Sequence, residues 1–126
     1  MLPITNYEIY QDGQIIFEEG SFGEILYIID SGTVELSKKV EANSIVIEML
    51  EQGYVFGEVA FIARVPRTAT ARAIGETTLG VIDRVFLDNE FNKLSSHFQT
   101  IIKTLALRLQ KSTDALAKSK IDKINS

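Results

Sequence analysis

Short runs in which apolar and polar residues alternate fill the first two thirds of the chain. Thr33-Val34-Glu35-Leu36 shows the period of two that is typical of a half-buried strand. Eight runs of this kind lie near residues 7–10, 14–17, 25–29, 33–36, 45–50, 54–56, 68–73 and 77–82. Most of the breaks between them contain glycine. Short strands at regular spacing, divided by glycine-centred turns, predict a sandwich or a barrel.

The pattern changes to a helical one after Ile82. A short helix or two is predicted first, over residues 84–94. From about Ser95 to Lys120 the sequence contains no glycine and no proline, and Ser95 or Ser96 can cap the helix start. Steps of 4, 3, 4 and 7 residues separate the apolar positions of this helix, which are Phe98, Ile102, Leu105, Leu109 and Leu116. This spacing predicts a stripe along one face, which Ser112 interrupts.

A helix of about 25 residues is ~38 Å long, which exceeds what a small barrel can cover. Part of the apolar stripe therefore needs another partner. We expect a homodimer through residues 96–118. A helix that packs only on its own barrel is the alternative.

Composition and length restrict the classes of protein that the chain can belong to. The 126 residues suit one domain, and 45% of them are hydrophobic, which is enough for a core. The absence of cysteine and the single histidine, His97, exclude disulfides, cysteine nucleophiles and multi-histidine metal sites. No apolar run approaches the ~20 residues of a membrane span. The first ten residues do not resemble a secretory signal, so a cytoplasmic protein is expected.

Charge is divided unevenly along the chain. Residues 1–83 carry five basic and thirteen acidic side chains, whereas residues 84–126 carry eight basic and four acidic ones. An acidic body repels anions at long range, so an anionic ligand would depend on local basic groups. The spread of the lysines after residue 83 favours a solvated helix face over a nucleic-acid contact.

The segment from Phe56 to Ala71, FGEVAFIARVPRTATA, contains side chains that suit a small anionic sugar phosphate. Gly57 has no Cβ, so the backbone can approach a ligand closely. One turn of helix after it would direct free N–H groups at an anion. Arg67 offers a planar fork that matches two phosphate oxygens, and Glu58 can accept hydrogen bonds from sugar hydroxyls. A simple ion pair between Glu58 and Arg67 in a turn is the alternative.

FGEVA followed by PRTATA resembles the phosphate-binding cassette of cyclic-nucleotide-binding domains. The segment GQIIFEEGSFGEILYIIDSGTVEL also resembles that family, so the likeness covers most of residues 12–83. It implies a mainly β fold with helices: a β-roll or jelly-roll barrel of about eight short strands, a short cassette helix and a long C-terminal helix. It also implies that the cassette residues at the ligand are Phe56, Gly57, Glu58, Val59, Ala60, Arg67, Thr68 and Ala69.

The segment LRLQKST, residues 107–113, resembles the dimer helix of the bacterial catabolite-activator family of transcription regulators. This likeness implies that Arg108 reaches toward the ligand pocket and that Ser112 and Thr113 lie near the purine. Solvent-facing hydroxyls at Ser112 and Thr113 are the alternative. That regulator family continues into a helix-turn-helix domain, for which this sequence leaves no room before Ser126. We therefore expect a stand-alone sensor domain or a fragment of a longer protein.

The sequence favours a non-catalytic cyclic-nucleotide sensor, with a barrel over residues 1–83, a cassette at 56–71 and a helical output segment at 84–126. Cyclic AMP is the expected ligand, with no metal. Cyclic GMP is the alternative, because in this family a hydroxyl after the cassette arginine, here Thr68, often accompanies tolerance for guanine. A degenerate scaffold that dimerises without nucleotide is the second hypothesis. A phosphoesterase would rest on His97 alone, and nucleic-acid binding by this chain lacks a motif.

Overall fold

One antiparallel sheet organises the computed structural model, which describes residues 2–125. The strands are Ile4–Tyr10 (β1), Ile15–Phe17 (β2), Tyr27–Val40 (β3), Asn43–Leu50 (β4), Val55–Phe56 (β5) and Thr70–Ile82 (β6). The helices are Glu58–Ala63 (α1), Arg84–Lys93 (α2) and Ser96–Asn125 (α3). The neighbour order is β1-β6-β3-β4, while β2 pairs with β6 and β5 pairs with β3. The predicted mainly β fold with a short cassette helix and a long C-terminal helix is confirmed.

Over the described residues the sheet has six strands instead of about eight, because two of the predicted turns lie inside continuous strands. β3 continues through Gly32, where its register against β6 shifts near Ser31 and Thr33. Gly32 has φ +95, and a Cβ placed there would lie 2.6 Å from Oγ1 of Thr77 on β6. β6 likewise continues through Gly75, which also has positive φ. Glycine marks a bend in these two strands and not their end.

The main core is formed by side chains from β3, β4, β5 and β6. Its buried members are Tyr27, Ile29, Val34, Leu50, Phe56, Ala71 and Leu79. Three rings from different strands pack together within it: Phe56 lies 5.3 Å from Tyr27 and 5.9 Å from Phe17, measured between ring centroids. Aromatic packing therefore anchors the strand that leads into the cassette.

α3 packs beside α1, β3 and β4. The hydroxyl of Ser95 accepts a hydrogen bond of 3.3 Å from the backbone N–H of Phe98, so Ser95 serves as the predicted cap. The helix continues to Asn125, beyond the predicted end. Its buried residues are Ala106, Ala117 and Ile121, of which Ala117 and Ile121 pack with Ile45 of the sheet.

The apolar stripe predicted from the sequence lies mostly away from the sheet. Phe98 is 59% exposed, Leu105 is 57% exposed and Leu109 is 45% exposed. Small residues therefore seat α3 on the sheet, and the large apolar side chains are left at the surface.

Candidate functional site

The predicted cassette folds around a small cavity at one end of the sheet. Its lining consists of Gly57, Glu58, Val59, Ala60, Arg67, Thr68 and Ala69 from the cassette, together with Phe17 and Leu36. We call this space the cassette cavity. Phe56 is not part of its lining, because its ring is buried in the core. The structure thus brings seven of the eight predicted cassette residues to one cavity.

The backbone of the cassette is shaped by left-handed residues at both ends of α1. Gly57 precedes the helix with φ 90, and Arg64 ends it with φ 57. Between them, Phe61 is buried against Leu26 and Ile82, which fixes the helix on the sheet. The helix therefore starts at Glu58, as the sequence predicted, with the carboxylate in its first turn.

Arg67 is held from several sides and is only 5% exposed. Its Nη2 donates to the carbonyl oxygen of Ile25 at 3.0 Å, and Nη1 donates to the carbonyl oxygen of Gly57 at 3.3 Å. The guanidinium carbon lies 4.1 Å from the centroid of the Phe17 ring, in a cation–π contact. These contacts fix the orientation of the guanidinium.

The backbone of the same residue is clamped to the loop before β3. The N–H of Arg67 donates to the carbonyl oxygen of Ser21 at 2.8 Å, and its own carbonyl oxygen accepts from the N–H of Gly20 at 2.8 Å. A Cβ at Gly23 would lie 3.4 Å from two nitrogens of the guanidinium. The loop around residues 20–25 is therefore a wall of the arginine site, although it was predicted only as a turn.

Burial disfavours the charged forms of both Glu58 and Arg67. It lowers the pKa of the Arg67 guanidinium, which the nearby charges of Tyr27, Glu24 and Glu58 oppose. It raises the pKa of the Glu58 carboxyl, to which the charge of Glu48 adds, while a backbone hydrogen bond and Arg67 oppose the rise. An opposite charge or a hydrogen-bond donor in the cavity would relieve these penalties.

Two buried polar atoms at this cavity have no hydrogen-bond partner: Oε2 of Glu58 and Nε of Arg67. Glu58 and Arg67 do not form an ion pair with each other within 4.0 Å. The simple ion-pair interpretation of these two residues is therefore not what the structure shows. An acceptor and a donor of opposite charge, both buried, are thus unpaired on residues that line one small cavity.

The three residues predicted from the C-terminal helix lie elsewhere. Arg108 and Ser112 are exposed, and Thr113 is half-buried. The hydroxyl of Thr113 donates to the carbonyl oxygens of Leu109 and Gln110 in its own helix, at 3.2 and 2.9 Å. None of the three lines the cassette cavity. A contact of these three residues with a ligand therefore remains a prediction.

The sequence analysis did not identify three residues near the cavity: Phe17 and Leu36, which line it, and Lys38, whose buried ammonium contacts Thr68. Lys38 on β3 donates to the carbonyl oxygen of Thr68, 30 residues further along the chain. No local pattern marks such a contact, because it depends on strand pairing. The pair Lys38-Lys39 has the appearance of an ordinary surface doublet in the sequence.

A known protein family matches the part of the chain that contains the whole cassette cavity. The family described as "Cyclic nucleotide-binding domain" matches residues 7–93, which include every residue that lines the cassette cavity. This chain belongs to the cyclic nucleotide-binding domain family. The match ends before α3 begins at Ser96.

Relatives of this cyclic nucleotide-binding domain include protein kinase components. It is 38% identical over 66 residues to the cAMP-dependent protein kinase regulatory subunit of Yarrowia lipolytica. The aligned segment covers 52% of this chain and 17% of the relative. It is 38% identical over 94 residues to the cGMP-dependent protein kinase of Toxoplasma gondii. That aligned segment covers 72% of this chain and 9% of the relative. The chain therefore spans only a small part of the length of these relatives.

A solved structure shares the fold over nearly the full chain. The EAL enzyme Bd1971 in its cAMP-bound form superposes with a TM-score of 0.81 and 27% sequence identity, over 95% of this chain and 32% of that chain. Unlike the family match, this likeness extends into α3. The long helix is therefore part of a fold that a similar protein also adopts.

Among the helices of residues 2–125, none joins sufficient length to the apolar character that a membrane crossing requires. In the same described part of the chain, no three histidine, aspartate or glutamate side chains come together in a group that could hold a metal ion.

Proposed function

We propose that this cyclic nucleotide-binding domain is a non-catalytic sensor that binds cyclic AMP in the cassette cavity. The helical segment of residues 84–126 then reports ligand occupancy. Binding would order the cassette and α3 together, so that the position of the helix is the output.

The observation that carries the proposal is the unpaired state of Glu58 Oε2 and Arg67 Nε, both buried at one cavity. A buried polar atom without a partner costs about 1–3 kcal/mol, and more if it is charged. A cyclic nucleotide offers a partner to each: an anionic phosphate for Arg67 and a ribose hydroxyl for Glu58. The contacts of Arg67 with Ile25, Gly57 and Phe17 pre-organise the phosphate site.

Cyclic AMP and cyclic GMP are both candidate ligands of the cavity. The relatives named above include both a cAMP-dependent and a cGMP-dependent kinase protein, and the similar solved protein has both a cAMP-bound and a cGMP-bound form. Thr68 lines the cavity directly after Arg67, where its hydroxyl could bond a guanine amino group or cap a phosphate oxygen. We favour cyclic AMP and keep cyclic GMP as the alternative.

The proposal includes a parallel homodimer through residues 96–118. Its support is the exposed stripe on α3, which contains Phe98, Leu105, Leu109 and Leu116 and lies away from the sheet. The likeness of residues 107–113 to the dimer helix of catabolite-activator regulators favours the same assembly. In such a dimer, Ser112 of one copy could approach the ligand of the other across the two-fold axis. This would give Ser112 a role that one copy alone does not supply.

Calorimetric titration with cyclic AMP, cyclic GMP and 5′-AMP tests the proposal. We expect saturable binding of cyclic AMP at one site per chain, weaker binding of cyclic GMP and no binding of 5′-AMP. Chromatography of the mixture afterwards should recover cyclic AMP intact. No heat of binding with any of the three would favour the degenerate scaffold, and conversion of cyclic AMP to 5′-AMP would contradict a non-catalytic role.

A further inference from the structure

Lys38 is the charged residue that joins the cassette to α3. It lies on β3 and is only 3% exposed. Its ammonium donates to the carbonyl oxygen of Thr68 and lies 2.5 Å from Oδ1 of Asp114 on α3. The next carboxylate, on Glu19, is 4.0 Å away, and its other oxygen already accepts from the N–H of Lys39 at 2.8 Å. Asp114 is therefore the principal counter-ion.

The two partners of Lys38 belong to the two parts of the chain that a sensor must connect. Thr68 directly follows Arg67 and lines the cassette cavity. Asp114 lies on α3 close to Ala117, a residue that seats the helix on the sheet. If α3 moved away while Lys38 stayed buried, the ammonium would lose its closest counter-ion, which is costly for a charge shielded from water.

We infer that the ion pair between Lys38 and Asp114 couples nucleotide occupancy of the cassette cavity to docking of α3 on the sheet. This inference rests on the proposed function, because it concerns the same cavity. The coupling is positive, so that nucleotide strengthens docking. Two buried cations, Arg67 and Lys38, flank Thr68, and the phosphate of a nucleotide would compensate this concentration of positive charge. The phosphate thereby lowers the free-energy cost of keeping the Lys38 ammonium buried. Lys38 then stays in place as the partner of Asp114.

The coupling has a reciprocal consequence. If nucleotide strengthens docking of α3, then docking of α3 strengthens nucleotide binding by the same factor. Asp114 is not among the residues that line the cassette cavity. Breaking its ion pair with Lys38 should therefore weaken nucleotide binding at a cavity of which Asp114 is not part. Typical coupling factors between sites are about 5–150-fold.

The test uses four forms of the full chain: wild type, Asp114→Asn, Asp114→Glu and Asp122→Asn. Asp114 is 55% exposed in its side chain, so its substitution removes the counter-ion of Lys38 without leaving a cavity in the core. Asp114→Glu keeps the charge. Asp122→Asn removes the same charge from the same helix about two turns further on, where the exposed side chain forms no ion pair with Lys38.

Two quantities are measured on each form: the affinity for cyclic AMP by calorimetry, and amide hydrogen exchange over residues 106–121 with and without cyclic AMP. We expect Asp114→Asn to bind cyclic AMP at least about fivefold more weakly, at the lower end of typical coupling. Its amides should exchange faster than those of wild type even without ligand, and cyclic AMP should protect them less. Asp114→Glu and Asp122→Asn should resemble wild type in both measurements.

The outcomes separate this inference from the proposed function. If wild type binds cyclic AMP and Asp114→Asn binds it equally well, the coupling is refuted while the sensor proposal stands. If Asp122→Asn weakens binding as much as Asp114→Asn, the effect is one of net charge and the coupling is again refuted. If wild type binds no nucleotide, the sensor proposal fails and the coupling fails with it. Exchange over residues 106–121 that is unchanged in ligand-free Asp114→Asn would refute the docking role independently of ligand.

Discussion

Gly57 and Arg67 pack so closely that a Cβ atom added to Gly57 would lie 2.8 Å from Nη1 of Arg67. The same atom would lie 2.9 Å from the carbonyl oxygen of Ile25, which is the acceptor of Nη2. Gly57 also has φ +90, a conformation that residues with a side chain rarely adopt. The missing side chain at residue 57 thus defines where the guanidinium can lie.

Gly57→Ala should therefore damage both stability and binding, and Gly53→Ala provides a matched control. Gly53 has nearly the same conformation, φ +91, but nothing lies within 4 Å of its added Cβ. We expect Gly53→Ala to lower the free energy of unfolding by about 1 kcal/mol and to leave cyclic AMP affinity unchanged. Gly57→Ala should cost more and weaken cyclic AMP binding by over about tenfold, since it displaces a charged donor. Urea unfolding and calorimetry that gave the same losses for both variants would contradict this account.

The cassette could be predicted from the sequence because its chemistry is local. Gly57, Glu58 and Arg67 come from one segment, and the short helix between two left-handed residues brings them to one cavity. Phe17 reaches the same cavity through strand pairing, and strand pairing also brings Lys38 to the carbonyl oxygen of Thr68. A single sequence contains no signal for such pairing, and the ring beneath Arg67 could not be foreseen.

The elements outside the cassette show where pattern analysis is limited. Glycine was taken to end strands at Gly32 and Gly75, but the ladder between β3 and β6 continues past both. Periodicity of large apolar residues on α3 identified a stripe, whereas small residues such as Ala117 face the sheet. Close packing against a sheet favours alanine at the contact, and alanine contributes little to a hydrophobic pattern.

Glu58 should recognise the ribose 2′-hydroxyl, because its unpaired Oε2 is an acceptor at the cavity. We expect wild type to bind 2′-deoxy cyclic AMP more weakly than cyclic AMP by about 1.5–3 kcal/mol, the range for hydrogen bonds to charged groups. In Glu58→Ala the two ligands should differ much less. Calorimetry with both ligands and both proteins gives the interaction energy directly. Equal affinities in wild type would show that the hydroxyl lies elsewhere.

Stability should depend on pH through Glu58. Burial raises the pKa of this carboxyl above its ordinary value of 4.5. The folded protein then binds more protons than the unfolded chain between these two pKa values, so the free energy of unfolding falls as pH rises through that interval. Without nucleotide, Glu58→Gln should be more stable than wild type at pH 7, and the difference should vanish below about pH 4.5.

Urea unfolding across this pH range is the measurement, with Glu51→Gln at an exposed position as the control. The control should show no comparable gain at pH 7. A Glu58→Gln variant whose stability relative to wild type is the same at pH 4 and at pH 7 would be evidence against a buried, unpaired carboxylate.

The homodimer should depend on the exposed stripe of α3. We expect a Leu105→Lys/Leu109→Lys variant to sediment as a monomer, since four buried charges in a two-fold interface lack partners. Ile124→Lys adds charge to the same helix at a 69% exposed residue outside the proposed interface and should leave the dimer intact. Sedimentation velocity with and without cyclic AMP reports both. A wild type that stays monomeric at high concentration in both conditions would refute the dimer.

The central claim is that Arg67 binds the phosphate of a cyclic nucleotide, and the affinity for cyclic AMP of Arg67 variants tests it most directly. The comparison is between Arg67→Ala, the milder Arg67→Lys, and Arg72→Ala, which removes an exposed arginine from β6. Loss of one partner from a charged, hydrogen-bonded pair typically costs ~2–5 kcal/mol. We therefore predict that Arg67→Ala weakens binding by well over tenfold, Arg67→Lys weakens it by a smaller factor, and Arg72→Ala leaves it unchanged. Wild-type affinity in folded Arg67→Ala and Arg67→Lys proteins would contradict the account.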